Sequence, residues 1–130
     1  MTLYHFCPAH MLDGIKRQGL TLGAFPLQGD GHFTPMWGFQ WLTSEPDPKK
    51  QSWATSHFID YSRTAYRLTI EIPHSHKRSL FLATDFIKHL KLEQKMIVLA
   101  WAGHEAWYIF KGNIPPKWIK KIERMDANIG

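Results

Sequence analysis

The chain breaks into short apolar runs separated by turn signals, and the period of each run predicts its element. In TAYRLTIEIP, residues 64–73, Tyr66, Leu68, Ile70 and Ile72 share one side while Arg67, Thr69 and Glu71 share the other. That alternation predicts a strand with one buried face. Residues 2–6 read as a first strand. Residues 38–44, GFQWLTS, read as a second strand that stops at the turn signal EPDPKK. EAWYIFKG predicts a further strand, closed by Gly112 and Asn113. After the first strand the period changes. Pro8 suits the first turn of a helix, where its missing N–H is an orphan anyway. Met11, Leu12 and Ile15 form one helical stripe, and Gly19 followed by Leu20 ends it.

Other stretches are less regular. Residues 23–36, GAFPLQGDGHFTPM, are rich in Gly and Pro and predict a loop. A short helix is expected through Trp53 and Phe58, and mostly helical structure, in one or two pieces, over 83–101. IPPKWIKKIERM fits either a helix carrying Trp118 and Ile122 or a final strand after the proline pair. With no repeat and no linker, the pattern predicts one α+β domain over residues 1–130.

Composition narrows the function classes. A hydrophobic share of 44% over 130 residues supports a folded core and excludes a disordered chain. The net charge of +5 favours an anionic partner: a nucleotide phosphate, a nucleic acid or an acidic protein. Part of that charge is the run Lys111, Lys117, Lys120, Lys121 and Arg124, which reads equally as a solvated face. Cys7 is the only cysteine, so no internal disulfide forms, which fits a reducing, cytoplasmic setting. No apolar stretch reaches the roughly 20 residues of a bilayer span. The first residues lack the basic-then-apolar order of a signal peptide, so no membrane association is expected.

His5, Cys7 and His10 in HFCPAH, with HSH at 74–76, suggest metal ligands. Zinc wants four N or S ligands in a tetrahedron. Here His5 falls on a strand, His10 falls on a helix and no second Cys exists, so no structural metal is expected. GDG at 29–31 follows no predicted strand and lacks a third glycine, and no phosphate-cradling P-loop is present. A bound nucleotide needs another kind of site. Three pieces remain. His5 sits inside an apolar strand, where a buried imidazole needs a partner or a ligand. Thr43 and Ser44 end the second strand. Glu105 precedes AWYIF and, counted in twos, shares a face with Trp107 and Ile109. Each also has an ordinary structural reading: a satisfied core histidine, a hydroxyl pair capping a turn, a loop glutamate.

Taken in order, LYHFCPAHMLDGIKRQGL, WLTSEPDP and EAWYIFKGNIPPKWI resemble the ADP-ribosyltransferase fold, and especially its small bacterial and phage members. The resemblance implies a split mixed sheet with flanking helices and a central cleft that holds NAD as co-substrate. By motif match His5 would orient NAD through a ribose hydroxyl, Thr43 and Ser44 would shape the cleft, and Glu105 would be the catalytic glutamate. The expected catalytic set is therefore His5, Thr43 and Glu105. Phe6 or Trp53 would stack on the nicotinamide ring, and Arg67 would offer its fork of donors to the pyrophosphate. Trp53 is displaced from the place where many members carry a tyrosine, and His104 stands where protein-modifying members carry an acid or Gln. A carboxylate suits the reaction because cleaving the nicotinamide–ribose bond builds positive charge on the ribose. The implied function is an NAD-dependent ADP-ribosyltransferase, a glycosyl-transfer enzyme acting on a protein or nucleic-acid acceptor in a phage–host or toxin conflict. The alternative is a non-catalytic module on the same fold that binds a nucleotide, a nucleic acid or a protein.

Overall fold

The computed structural model describes residues 1–29, 32–48, 64–89 and 104–125, with the backbone alone at 24–29, 32–35, 89 and 104. Six strands form the main sheet: β1 (Thr2–Cys7), β4 (Phe39–Thr43), β5 (Tyr66–Glu71), β6 (Leu80–Leu82), β7 (Trp107–Lys111) and β8 (Ile119–Arg124). Their order is β6-β7-β4-β1-β5-β8, and each pairing is antiparallel. The α+β class holds, but among the described strands the sheet is antiparallel rather than mixed. The sheet is parted at its centre. β1 pairs with β5 over six consecutive positions, from Thr2↔Glu71 to Cys7↔Tyr66, but with β4 only at Tyr4↔Thr43.

Alternation divides the core between the two faces. Leu3, Cys7, Leu42, Leu68, Ile70 and Phe110 pack on one face, against Leu12 and Ile15 of α1 (Leu12–Gln18) and against Ile114 and Trp118. Phe39, Trp107 and Ile109 pack on the other, against Ala83 of α2 (Ala83–Phe86) and Ile87. Met11, expected in the helical stripe, is exposed, because a 3-10 turn over Ala9–Met11 precedes α1 and rotates it outward. Gly19 ends the helix with φ of +79°, and a Cβ there would run into the carbonyl of Ile114. Leu20 and Ile114 then exchange both backbone hydrogen bonds, at 2.9 and 3.0 Å, which pins the chain after α1.

Two stretches depart from expectation. Where the stretch expected as a loop over residues 23–36 is described, it is mostly strand: β2 (Ala24–Gly29) and β3 (His32–Trp37) form a separate two-stranded sheet in which Pro26 lies opposite Pro35. In a two-stranded ribbon both strands are edges, so a residue without an N–H can be accommodated. IPPKWIKKIERM resolves as a 3-10 turn, Pro116–Trp118, followed by β8, an edge strand whose lysines face solvent and blunt further pairing. Of the helical stretch expected over 83–101, α2 and the turn Ile87–His89 are present. Residues 90–101 lie outside the described residues, as do Trp53 and Phe58.

Candidate functional site

The parting of the sheet explains the histidine in the first strand. His5 lies on the α1 side of β1, level with Leu68. Where the β1–β4 ladder stops, its imidazole crosses the gap and Nδ1 donates to the Trp41 carbonyl at 2.8 Å. A carbonyl only accepts, so Nδ1 carries the proton and Nε2 of the neutral ring carries a lone pair. Burial holds the His5 pKa below its ordinary 6.5, against a smaller upward pull from the Trp41 hydrogen bond. The ring is thus a fixed, neutral hydrogen-bond acceptor at physiological pH.

Nε2 has no protein partner among the described residues, and His5 lines a cavity of about 600 Å³. That volume falls in the range of small-molecule sites. Its walls come from α1, the segment from Gly19 to Gly23 and the near edge of β4, and include His10, Arg17, Leu22, Gln40 and Trp41. Arg17 reaches back through Nε to the Asp13 carbonyl at 3.3 Å, which turns its guanidinium along the helix. Gly23 donates its N–H to Gln40 Oε1 at 2.9 Å and accepts at its carbonyl from the N–H groups of Gly38 and Phe39. A Cβ at Gly23 would strike the Phe39 carbonyl and Gln40 Oε1, so this wall requires glycine.

Gln40 went unremarked in the sequence reading. It is 2% exposed, and its Nε2 has no hydrogen-bond partner. The amide orientation is forced, because the Gly23 N–H needs an oxygen. An orphaned buried donor costs about 1–3 kcal/mol. The signal was present in FQWLT: an uncharged polar side chain inside an otherwise apolar strand, on the face that Leu42 shares.

The other expected site residues do not line this cavity. Thr43 aligns with Tyr4 and Trp107, which places it on the opposite face of the sheet from His5. It is buried, and its Oγ1 accepts the Glu45 N–H at 3.0 Å, so it closes the turn after β4. Ser44 is exposed and bonds the Ala106 carbonyl through its N–H at 3.0 Å. Phe6, one residue beyond His5, faces away from the cavity for the same reason of alternation. Arg67 is level with Phe6, and its guanidinium is engaged by the protein. Nη1 donates to the Pro46 carbonyl at 2.9 Å, Nη2 to Glu123 at 2.8 Å, and the group lies 5.4 Å from the centre of the Tyr4 ring. Arg67 Nε is left without an acceptor.

Glu105 falls in a 3-10 turn, His104–Ala106, ahead of β7, so counting in twos from Trp107 does not reach it. It is exposed at the sheet end. Thr43 pairs with Trp107, and Glu105 lies two residues beyond that pair on a different strand pair from His5, which is not among the pairs of β4. His5 and Glu105 therefore do not meet in one cavity among the described residues. Trp53 lies outside them.

Two further groups are accounted for. Cys7 packs in the core, and burial pushes its thiol up to about 11, which leaves almost no thiolate at neutral pH. His76 of the HSH stretch meets Trp118 edge-on at 4.7 Å. Among the described residues no group of His, Cys, Asp and Glu is placed to hold a metal ion, and no helix is long and apolar enough to cross a membrane. Comparison with protein-family models, curated proteins and solved structures returns no match to this chain.

Proposed function

We propose that this chain binds NAD in the cavity beside α1 and acts as an ADP-ribosyltransferase on a macromolecular acceptor, a protein or a nucleic acid. One observation carries the reading: His5 is held as a neutral ring with Nε2 left without a protein partner, and it lines a nucleotide-sized cavity at a parted sheet. Such a nitrogen accepts from a ribose hydroxyl and has no charge with which to hold a phosphate. Arg17 supplies that charge on the same wall, where a guanidinium suits a pyrophosphate. The motif order that resembles ADP-ribosyltransferases adds independent support. In the reaction the bond between ribose C1′ and the nicotinamide nitrogen breaks, and its electron pair leaves with nicotinamide. The acceptor nucleophile bonds C1′ and loses a proton. Glu105, by resemblance, stabilises the developing cation, with NAD extending from the cavity toward the open end of β4 and β7.

The position of Glu105 outside the cavity walls favours a second reading, a non-catalytic module that binds a nucleotide. Calorimetric titration with NAD, paired with chromatographic detection of nicotinamide, separates the two. The first reading predicts NAD binding and nicotinamide release, with release reduced on the order of 10²-fold or more in Glu105→Gln while binding persists. Binding without release in the native chain selects the second. Absence of NAD binding rejects the first reading, and absence of binding to AMP as well rejects the second.

A further inference from the structure

The cavity wall carries a second polar group whose hydrogen bonding is incomplete, and its chemistry complements that of His5. Gln40 Oε1 is spent on the Gly23 N–H, which leaves the side chain only its N–H donors to offer. If the β1–β4 ladder continued, Gln40 would stand level with Cys7, two positions from His5 on the same face. His5 and Gln40 line the same cavity, one with an acceptor, Nε2, that the protein leaves free, and the other with a buried donor, Nε2, that has no partner. The donor is uncharged, shares its face of β4 with Leu42 and has Leu20 and Leu22 in the same cavity lining, so it suits a neutral acceptor on a flat ring better than a phosphate oxygen.

We infer that Gln40 is a specificity-determining residue that donates to the carbonyl oxygen of a carboxamide, so that the nicotinamide end of the dinucleotide seats against β4. This rests on NAD binding as proposed above, and it favours the non-catalytic form of that reading, because Gln40 pairs with Phe110, five residues along the chain from Glu105. A carboxamide carbonyl is the strongest neutral acceptor in NAD outside its phosphates, and burying the orphaned donor against it satisfies both groups at once. Adenine, the other flat end, offers only ring nitrogens as acceptors.

The test compares native chain, Gln40→Met and Gln40→Glu by titration with NAD, nicotinamide mononucleotide, AMP and free nicotinamide. The side-chain amide of Gln40 is followed by NMR, and thermal melting establishes that each variant is folded. Gln40→Glu keeps an oxygen for Gly23, so it guards against a Met variant that does not fold. The inference predicts that the Gln40 amide resonances move with nicotinamide mononucleotide and with nicotinamide but not with AMP. It also predicts that Gln40→Met binds NAD and the mononucleotide roughly 3–10-fold more weakly, with AMP unchanged. NAD binding that leaves the Gln40 amide and the Gln40→Met affinity untouched overturns the inference and spares the NAD reading. Equal losses for AMP and the mononucleotide assign the donor to the ribose phosphate that both carry, and a loss for AMP alone assigns it to adenine; either result overturns the inference and spares the NAD reading. If NAD does not bind but nicotinamide moves the Gln40 amide, the carboxamide subsite stands and the dinucleotide reading falls. If none of the four ligands binds, both fall.

Discussion

The two faces of the central sheet use polar residues in opposite ways. On the face away from α1, Thr43, Arg67 and Glu123 bond to the protein itself, through a turn amide, a carbonyl and a guanidinium, and Arg67 Nε, which has no acceptor, belongs to a residue outside the cavity walls. On the α1 face, His5 and Gln40 each spend one polar atom on the scaffold and keep a second without a partner, and both residues line the cavity. The difference separates residues that complete a fold from residues that are held by it for something else. A polar side chain in a cavity wall, anchored at one end and unpartnered at the other, is the better marker of a site than a polar side chain at a strand end.

The largest effect expected in this comparison lies in the apolar floor beneath the cavity. Leu68 is fully buried opposite His5. Leu68→Ala should cost about 2–5 kcal/mol, read as a drop in the denaturant midpoint. A cost under about 1 kcal/mol would mean that this face is loosely packed. Next comes binding: Arg17→Gln should weaken NAD about tenfold, as expected for loss of one charge-assisted contact, while the exposed site keeps stability within about 0.5 kcal/mol. Arg67→Gln, on the closed face, should leave NAD affinity unchanged. If it weakens NAD as Arg17→Gln does, the division between faces is wrong.

Acid provides a smaller and more general probe. The folded His5 binds its proton less readily than the unfolded chain does. Stability tied to it is complete above about pH 6.5 and is lost as the pH falls below that value. Glu123, held down by its hydrogen bond from Arg67, and Glu71, held down by the Met1 amino group and Thr2, act lower in the scale. Their contribution is present above pH 4.5 and declines as acid approaches the depressed values. A pH–stability curve should therefore begin to fall near pH 6.5. Replacing His5 with Gln should remove that first decline and keep the one below pH 4.5.

Strands with clean alternation were legible in the sequence: β1, β4, β5 and β7 are where their periods place them. So was the helix end at Gly19, because a positive φ is chemistry a sequence can announce. The pairing of β2 and β3 was hidden by Pro26 and Pro35, which signal a loop unless one knows that the ribbon has only edges. β6 has three residues, too few to show a period. For the site, His5 was readable as an anomaly within its strand. The grouping of His5 with Thr43 and Arg67 was not, because which face they share depends on register between strands far apart in sequence, whereas Phe6, next to His5 in one strand, is separated from it by alternation alone. Glu105 was misplaced for a local reason: a 3-10 turn interrupts the count in twos.

The state of one imidazole, that of His5, decides whether this cavity can take a ribose hydroxyl. Nitrogen-detected NMR of the His5 ring at pH 7.5, during titration with NAD, reads it directly. The prediction is a neutral ring protonated at Nδ1, with the Nε2 resonance shifting as it accepts a hydrogen bond from the ligand. A ring protonated at Nε2, or NAD binding that leaves the His5 nitrogens unmoved, would contradict it.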